Sequence, residues 1–230
     1  MKRSLRKTSD ERRQAIIEAI KGVFAEKGFE KTTTRELAKI AGVSEALLYK
    51  HFPSKESMYI AIHEDLFKNS NIDEFERVME MKPSTSTLVV LVHSFISRLV
   101  KVQSEEESEF NWAHLLLTRS LLEDGDFARI ALKQFPDRWI AKFEACVKEA
   151  AKAEDLKKIP VNMDVRGWCI LHIGINMMLT LYPKVPAVDY KISREMLVEQ
   201  AVWFALLGTG LKEEAIKRYY NPDALAELMG

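Results

Sequence analysis

The chain has 230 residues, and its 34 Lys and Arg residues balance 34 Asp and Glu residues, so its formal net charge is zero. A chain of this length buries a substantial core, as one large domain or two smaller ones. The longest apolar run, at residues 168–181, is interrupted by His172 and Asn176 and is too short to cross a bilayer, which excludes a membrane-spanning protein and predicts a cytoplasmic one.

Charge is distributed unevenly along the chain. Residues 1–55 carry 13 Lys and Arg against 7 Asp and Glu, a net charge of +6, whereas residues 56–230 carry 21 against 27, a net charge of −6. A phosphate-binding module attached to an acidic body shows this pattern. We therefore predict a DNA-binding domain at residues 1–55, with a basic arm at its N-terminus, and a second domain at residues 56–230.

The first predicted helix begins at a capping box, in which Thr8 and Glu11 each satisfy a free backbone donor of the other residue. Apolar residues at helical spacing follow as far as Gly28, which ends the helix. The four basic residues before this helix belong either to a frayed tail or to an arm that touches phosphates.

A helix-turn-helix pattern follows at residues 32–59. Thr33 and Glu36 form a second capping box, Gly42 ends the short first helix, and Ser44 is placed to cap the next helix. Such a motif buries apolar residues on both sides of its turn. The corresponding positions here hold Leu37, Ala38, Ala41, Val43, Leu48 and Phe52.

Residues 48–56 read LYKHFPSKE, which resembles the end of the recognition helix in TetR-family transcriptional regulators. The resemblance covers about residues 10–60. It implies an all-α fold, in which an N-terminal three-helix helix-turn-helix domain is joined to a larger C-terminal helical domain for ligand binding and dimerisation. It also implies that the protein binds double-stranded operator DNA as a homodimer.

The predicted DNA contacts follow from position and from the resemblance. A recognition helix presents its first turns to base edges, and these turns hold Ser44, Glu45 and Ala46. Arg35 extends from the preceding helix toward phosphate or base. The resemblance implies phosphate contacts for Thr33 or Thr34, Tyr49, His51 and Lys55. His51 stands at a position that is ordinarily buried, so partial burial of its ring remains an alternative.

Glu45 has two interpretations. Its carboxylate repels phosphate, yet it can accept a hydrogen bond from the N4 amino group of cytosine in the major groove. Alternatively, it only favours the positive end of its own helix.

Helical patterns continue to the C-terminus without any alternating strand pattern. We predict helices at residues 54–68, 88–102, 112–122, 127–151, 165–181 and 194–211, and short helical pieces in the tail. Pro136 predicts a kink or break in the fourth of these helices. The segment between residues 69 and 84 shows only weak periodicity and is not assigned.

The last two long helices carry small residues at helical spacing. They allow close approach, either within one chain or, as the resemblance implies, in a four-helix bundle between two copies. The predicted dimer interface consists of Gly174, Ala201, Phe204, Ala205 and Gly208.

The body is rich in aromatic residues and methionine, which form either an ordinary core or a largely apolar pocket for a small hydrophobic or amphipathic ligand. The pocket prediction comprises Trp112, Leu116, Trp139, Phe143, Trp168, His172, Asn176 and Met177. The cysteines Cys146 and Cys169 match no metal or redox motif, and we expect both to be apolar core residues in a reducing compartment.

The sequence contains no local metal-ligand spacing, nucleophile elbow or phosphate-binding glycine loop, and we therefore predict no cofactor, no metal and no enzymatic activity. We interpret the chain as a ligand-released transcriptional repressor. One alternative is a DNA-binding protein without a small-molecule inducer. A second alternative is a helical enzyme that uses the same fold.

Overall fold

The computed structural model of the protein describes residues 8–69, 72–101, 116–123, 125–183 and 185–229, and all regular elements in these residues are helices, which confirms the predicted all-α class. The helices are α1 (Ser9–Lys27), α2 (Thr34–Ile40), α3 (Glu45–His51), α4 (Lys55–Asn69), α5 (Ile72–Glu80), α6 (Thr85–Lys101), α7 (Asp126–Lys152), α8 (Met163–Leu181), α9 (Arg194–Gly208), α10 (Glu213–Tyr219) and α11 (Pro222–Met229). Residues 116–122 are also helical. The predicted basic arm at residues 1–7 and Trp112 lie outside the described residues.

The chain forms two compact units. The N-terminal unit holds the described part of residues 1–70 and 106–134, and the body unit holds the described part of residues 71–105 and 135–230. This division differs from the predicted boundary after residue 55. The reason is that α4 packs against α1, so that Met58 and Ile62 are buried in the same apolar cluster as Phe24.

The N-terminal unit has a small apolar core built around α1. The predicted capping box is present, because the Glu11 N–H donates to Thr8 Oγ1 and the Thr8 N–H donates to the Glu11 carboxylate. Ile16, Ile20 and Phe24 are buried at helical spacing and pack with residues of α2, α3 and α4. Leu116, Leu117 and Ala128 join the same cluster from later in the chain.

The connection that follows α1 turns at Gly28. Its φ of +81° lies in a region that L-residues with side chains rarely adopt. A β-carbon at Gly28 would clash with the Glu123 carboxylate and lie 2.7 Å from Arg119 Nε. Arg119 Nη1 also donates to the Glu26 carbonyl (2.6 Å), so this arginine and Glu123 lie directly over the bare glycine backbone.

The body unit is organised around α6, which is buried along nearly all of its length. α8, α9, α10 and α11 all contact it, and α5 packs on it as well. The sequence left the α5 segment unassigned. Its apolar side packs on the body core, and Arg138 of α7 donates two hydrogen bonds (2.9 and 2.8 Å) to the Glu76 carboxylate.

Two predictions about the body are corrected by the structure. α7 continues through Pro136 as one helix, so the predicted break is absent. Of the two cysteines, Cys146 is buried as expected, but Cys169 is exposed on α8. None of the helices in the described residues has both the length and the apolar character required to cross a membrane.

His93 of α6 is a buried polar group within this core. Its Nδ1 lies 3.2 Å from the Tyr220 hydroxyl, and its Nε2 has no hydrogen-bond partner among the described residues. Burial, with a smaller contribution from the Lys101 charge, lowers the pKa of His93 to about 4. An unfolded histidine has a pKa of about 6.5. The folded protein therefore binds fewer protons than the unfolded chain between these two values.

We expect acid to destabilise the protein through His93. The neutral, buried His93 ring contributes fully to the free energy of unfolding above pH 6.5. This contribution is lost as the pH falls toward 4, and the loss reaches about 2–3 kcal/mol at pH 4.5. Urea unfolding at pH 7 and pH 4.5 measures it. The variant His93→Gln, which does not titrate, should lose less stability than the native protein over this interval, whereas His172→Gln, at an exposed position, should behave like the native protein. Equal losses in His93→Gln and the native protein would contradict this assignment.

Candidate functional site

The helix-turn-helix forms at the predicted residues, but only half of its predicted capping box is seen, because the Glu36 carboxylate pairs with Lys27. The Glu36 N–H donates to Thr33 Oγ1 at the start of α2, and the Leu47 N–H donates to Ser44 Oγ at the start of α3, both at 3.2 Å. Between the helices, Gly42 has a φ of +66°, and open space surrounds the position that its β-carbon would take. The requirement for glycine is therefore conformational. The turn fixes the angle at which α3 leaves α2.

One side of α3 is exposed. Leu48 and the following Phe52 are buried in the N-terminal core, whereas Glu45, Ala46, Tyr49 and Lys50 all face outward. At 100° per residue, these four positions span an arc of about 140°. We call this set the α3 face. Lys50 belongs to it although the sequence analysis did not select it, and the helical spacing of the other three positions could have identified it.

Tyr49 connects the α3 face to α2. Its hydroxyl donates to Thr34 Oγ1 at 3.2 Å, across the turn of the motif. Thr33, the neighbour of Thr34, uses its oxygen to cap α2. A hydroxyl that accepts one hydrogen bond can still donate its own proton, so the capping role of Thr33 is compatible with a phosphate contact. Three predicted phosphate ligands thus lie together at the start of α2.

The remaining predicted DNA contacts are Arg35, Lys55 and His51, at the edges of the motif. Arg35 is exposed in the first turn of α2, and no ion pair within the described residues engages it. Lys55 Nζ lies 4.0 Å from the centre of the Phe29 ring, which holds this ammonium group beside the motif by a cation–π contact. His51 is half-buried next to Phe52, so the alternative of partial burial is observed for this predicted phosphate ligand.

The residues of the predicted ligand pocket lie in different parts of the structure. Trp139 and Phe143 are buried in the body core with their rings stacked 5.4 Å apart, and the Trp139 indole N–H has no hydrogen-bond partner among the described residues. Leu116 lies in the N-terminal unit, where it packs in the same apolar cluster as Phe24 and Ile62. Trp168 is half-buried beside the exposed His172, with their ring centres 6.0 Å apart. Among the described members of this prediction, Leu116 and Trp139 therefore belong to different apolar clusters.

Asn176 and Met177 line an open groove of about 480 Å³ between α8 and α9. Its walls are formed by Ile173, Asn176, Met177, Thr180, Tyr190, Leu197, Gln200, Ala201 and Phe204. We call the exposed side of these two helices, including the groove, the α8–α9 face. Residues 167–183 and 200–211 contain no Lys, Arg, Asp or Glu. An exposed helix pair that lacks charges over such lengths is typical of a surface that a partner covers.

The predicted dimer interface is corrected in part. Gly174 faces inward, since a β-carbon there would lie 2.6 Å from Leu99 Cδ1 and 2.8 Å from Phe95 Cε1. Ala201 and Ala205 are also buried and pack in the body core. These three small residues therefore allow close packing within the chain. Phe204 is 69% exposed, and Gly208 is exposed with open space around it, so both remain on the α8–α9 face.

The helix-turn-helix and its flanking helices match a known family. The model described as "Bacterial regulatory proteins, tetR family" matches residues 16–62, which extend from the buried part of α1 to the middle of α4. Residues 16–62 of the chain therefore belong to the TetR family. The matched residues contain the α3 face and the Thr34–Tyr49 hydrogen bond, so the likeness covers the helix-turn-helix itself.

The chain also resembles a protein of known name over part of its length. The nucleoid occlusion factor SlmA of Haemophilus ducreyi is 34% identical over 86 residues, which is 37% of this chain and 42% of the relative. The chain thus matches less than half of that relative's length.

Two solved structures share the fold. The transcriptional regulator FadR of Bacillus subtilis, solved with stearoyl-CoA, has a TM-score of 0.57 and 20% sequence identity to this chain. The superposition covers 86% of this chain and 99% of the FadR chain. AibR, solved with isovaleryl coenzyme A and operator DNA, has a TM-score of 0.58 and 18% sequence identity. Here the superposition covers 84% of this chain and 97% of the AibR chain. At these identities the likeness establishes the fold alone.

Proposed function

We propose that this TetR-family chain is a transcriptional repressor that binds operator DNA as a homodimer in the cytoplasm. In this proposal a small amphipathic molecule releases the DNA. The observation that carries the proposal is the α3 face, which the capped turn and the Tyr49–Thr34 hydrogen bond hold beside basic side chains. Such an arrangement places a helix in the major groove while neighbouring groups contact phosphates.

The proposed contacts fall into two classes. Phosphate contacts fix the register of the protein on the duplex but carry no sequence information, whereas contacts to base edges select the sequence. We assign phosphates to Thr33, Thr34, Arg35, Tyr49, His51 and Lys55. We assign bases to Glu45 and Ala46, with Ser44 close to the same bases while its oxygen caps α3.

The proposed homodimer rests on the α8–α9 face. One recognition helix with a few phosphate contacts binds weakly, and two half-sites read by one dimer give the affinity of a specific regulator. A two-fold interface requires a surface that fits itself. The α8–α9 face offers Phe204 as a projecting aromatic ring with a groove beside it. Residues 167–183 and 200–211 around them contain no charged side chain that pairing would have to desolvate.

An acyl thioester of coenzyme A is the ligand class that we propose. FadR and AibR bind acyl-CoA molecules within the same fold, as their structures with stearoyl-CoA and isovaleryl coenzyme A state. In this chain the body core has large aromatic side chains, and the Trp139 indole N–H is a buried donor that lacks a partner among the described residues. A carbonyl oxygen of a ligand would satisfy that donor.

The test combines native mass spectrometry with fluorescence anisotropy on DNA from upstream of the gene. We expect a dimer that binds this DNA and loses affinity about 100-fold when acyl-CoA of the preferred chain length saturates it, a coupling of about 2.7 kcal/mol. Free coenzyme A is the matched control and should leave DNA binding unchanged. A dimer that binds DNA with equal affinity in the presence of every acyl-CoA would contradict the ligand-release proposal.

That contrary outcome would favour a second candidate, a DNA-binding protein without a small-molecule inducer. The 34% identity over 86 residues to a nucleoid occlusion factor is the observation in its favour. In this candidate the aromatic residues of the body are core, and they respond to no ligand. The two candidates share the DNA contacts and the homodimer, and they differ only in the response to acyl-CoA.

A further inference from the structure

We propose that Glu45 selects a C·G base pair in each operator half-site by accepting a hydrogen bond from the N4 amino group of cytosine. This inference rests on the proposed DNA-binding function of the α3 face and adds a base identity to it. The sequence left open whether the Glu45 carboxylate reads a base or only favours the start of its own helix. The contacts around α3 favour the first interpretation.

The neighbours of Glu45 on the α3 side of the motif already have partners. Ser44 Oγ accepts the Leu47 N–H, and the Tyr49 hydroxyl donates to Thr34 Oγ1. Glu45 differs from them, because its carboxylate is exposed and makes no hydrogen bond or ion pair with the described residues. By contrast, the first-turn acids of α1 and α2 are engaged, Glu11 with the Thr8 N–H and Glu36 with Lys27.

The position of Glu45 on the helix brings it to base edges. It is the first residue of α3, and it lies one turn before Tyr49 on the same side of the helix. The first turn of a recognition helix points into the major groove, while later residues approach the backbone. Tyr49 is hydrogen-bonded to Thr34 at the start of α2, and this side of α3 is the one that we assign to phosphate contacts. The Glu45 carboxylate therefore enters the groove beside that contact.

A carboxylate can only accept hydrogen bonds, so it can bind only a base that presents a donor in the major groove. Only cytosine N4 and adenine N6 present amino donors in the major groove. In an A·T pair the N6 donor stands between two acceptors that repel a carboxylate, adenine N7 and thymine O4. In a C·G pair the N4 donor has an acceptor, guanine O6, on one side only. The exposed cations Lys50, Arg35 and Lys39 surround the motif, and their attraction for phosphates offsets the repulsion that one carboxylate adds.

The test is selection of binding sites from a randomised duplex library by the full-length protein, followed by sequencing. The native protein should enrich half-sites with a C·G pair at one position. In Glu45→Ala that position should lose its preference while the other positions keep theirs, and affinity for the native site should fall about 10-fold. In Glu45→Gln the position should change to A·T, because a carboxamide pairs with adenine N6 and N7.

Two control variants separate base reading from other effects. Glu56→Gln removes an exposed first-turn carboxylate from α4 and should leave the selected half-site unchanged. Lys55→Ala should weaken binding to all sequences equally. Retention of the C·G pair by Glu45→Ala, or a uniform loss of affinity for every sequence, would overturn the assignment to cytosine. Failure of the native protein to enrich any sequence would instead overturn the DNA-binding proposal, and the assignment with it.

Discussion

Replacement of Phe204 by glutamate is expected to convert the protein from a dimer into a monomer. Phe204 is 69% exposed at the edge of the groove on the α8–α9 face, where no charged side chain lies in residues 200–211. In a dimer formed through this face, the glutamate carboxylate would be buried without a partner. Otherwise the two protomers would have to separate to keep it in water. Breaking a buried contact with an unpaired charge costs about 3–5 kcal/mol, and two-fold symmetry applies the change twice.

We therefore expect the dimer dissociation constant of Phe204→Glu to rise at least about 1000-fold. Operator affinity should fall with it, because a monomer engages one half-site only. Sedimentation equilibrium and anisotropy on operator DNA measure the two effects.

Leu121→Glu is the matched control for this variant. Leu121 is 60% exposed and lies in the N-terminal unit, so the same change of charge should leave the dimer intact. If Phe204→Glu dimerises as tightly as the native protein, the α8–α9 face is not the interface. A native protein that is itself monomeric at micromolar concentration would contradict the homodimer.

Replacement of Gly28 by alanine should destabilise the N-terminal unit by about 2–4 kcal/mol. A residue with a β-carbon is strained at a φ of +81°, which costs about 1–3 kcal/mol. The added methyl group also displaces Arg119 and Glu123, so the hydrogen bond from Arg119 to the Glu26 carbonyl is weakened as well. Thermal and urea unfolding measure the loss of stability.

Gly22→Ala provides the control within the same helix. Gly22 lies inside α1, and a β-carbon there would meet no atom within 4 Å. Alanine is favoured over glycine in a helix interior, so this variant should be as stable as the native protein or more stable by up to about 1 kcal/mol. Equal effects of the two substitutions would show that neither the backbone conformation nor the contact with Arg119 constrains Gly28.

The helix-turn-helix could be predicted from the sequence because local interactions determine it. The caps at Thr33 and Ser44, the turn at Gly42 and the buried Leu48 all act within a few residues, and each occupies its predicted place. Lys50 was missed because a motif comparison selects matching residue types, whereas exposure on α3 depends on which side of the helix the core covers.

The body could be predicted only as a set of helices. α8 carries apolar or uncharged residues all around its second half, so its sequence has no period that identifies the buried side. Gly174 and Ala201 were assigned to a dimer interface because small residues at helical spacing allow close approach, although they pack against other parts of their own chain. Leu116 and Trp139 were grouped in one pocket prediction, although they pack in different apolar clusters, because cluster membership depends on tertiary contacts that a helical pattern does not contain.

The opposite placement of the two cysteines gives the molecule a native labelling position. Burial raises the pKa of the Cys146 thiol, which keeps it protonated and poorly nucleophilic. Cys169 is exposed on α8, close to His172. A maleimide dye added under native conditions therefore attaches at Cys169 in preference to Cys146. Fluorescence from that single probe reports the surroundings of α8 without any engineered residue.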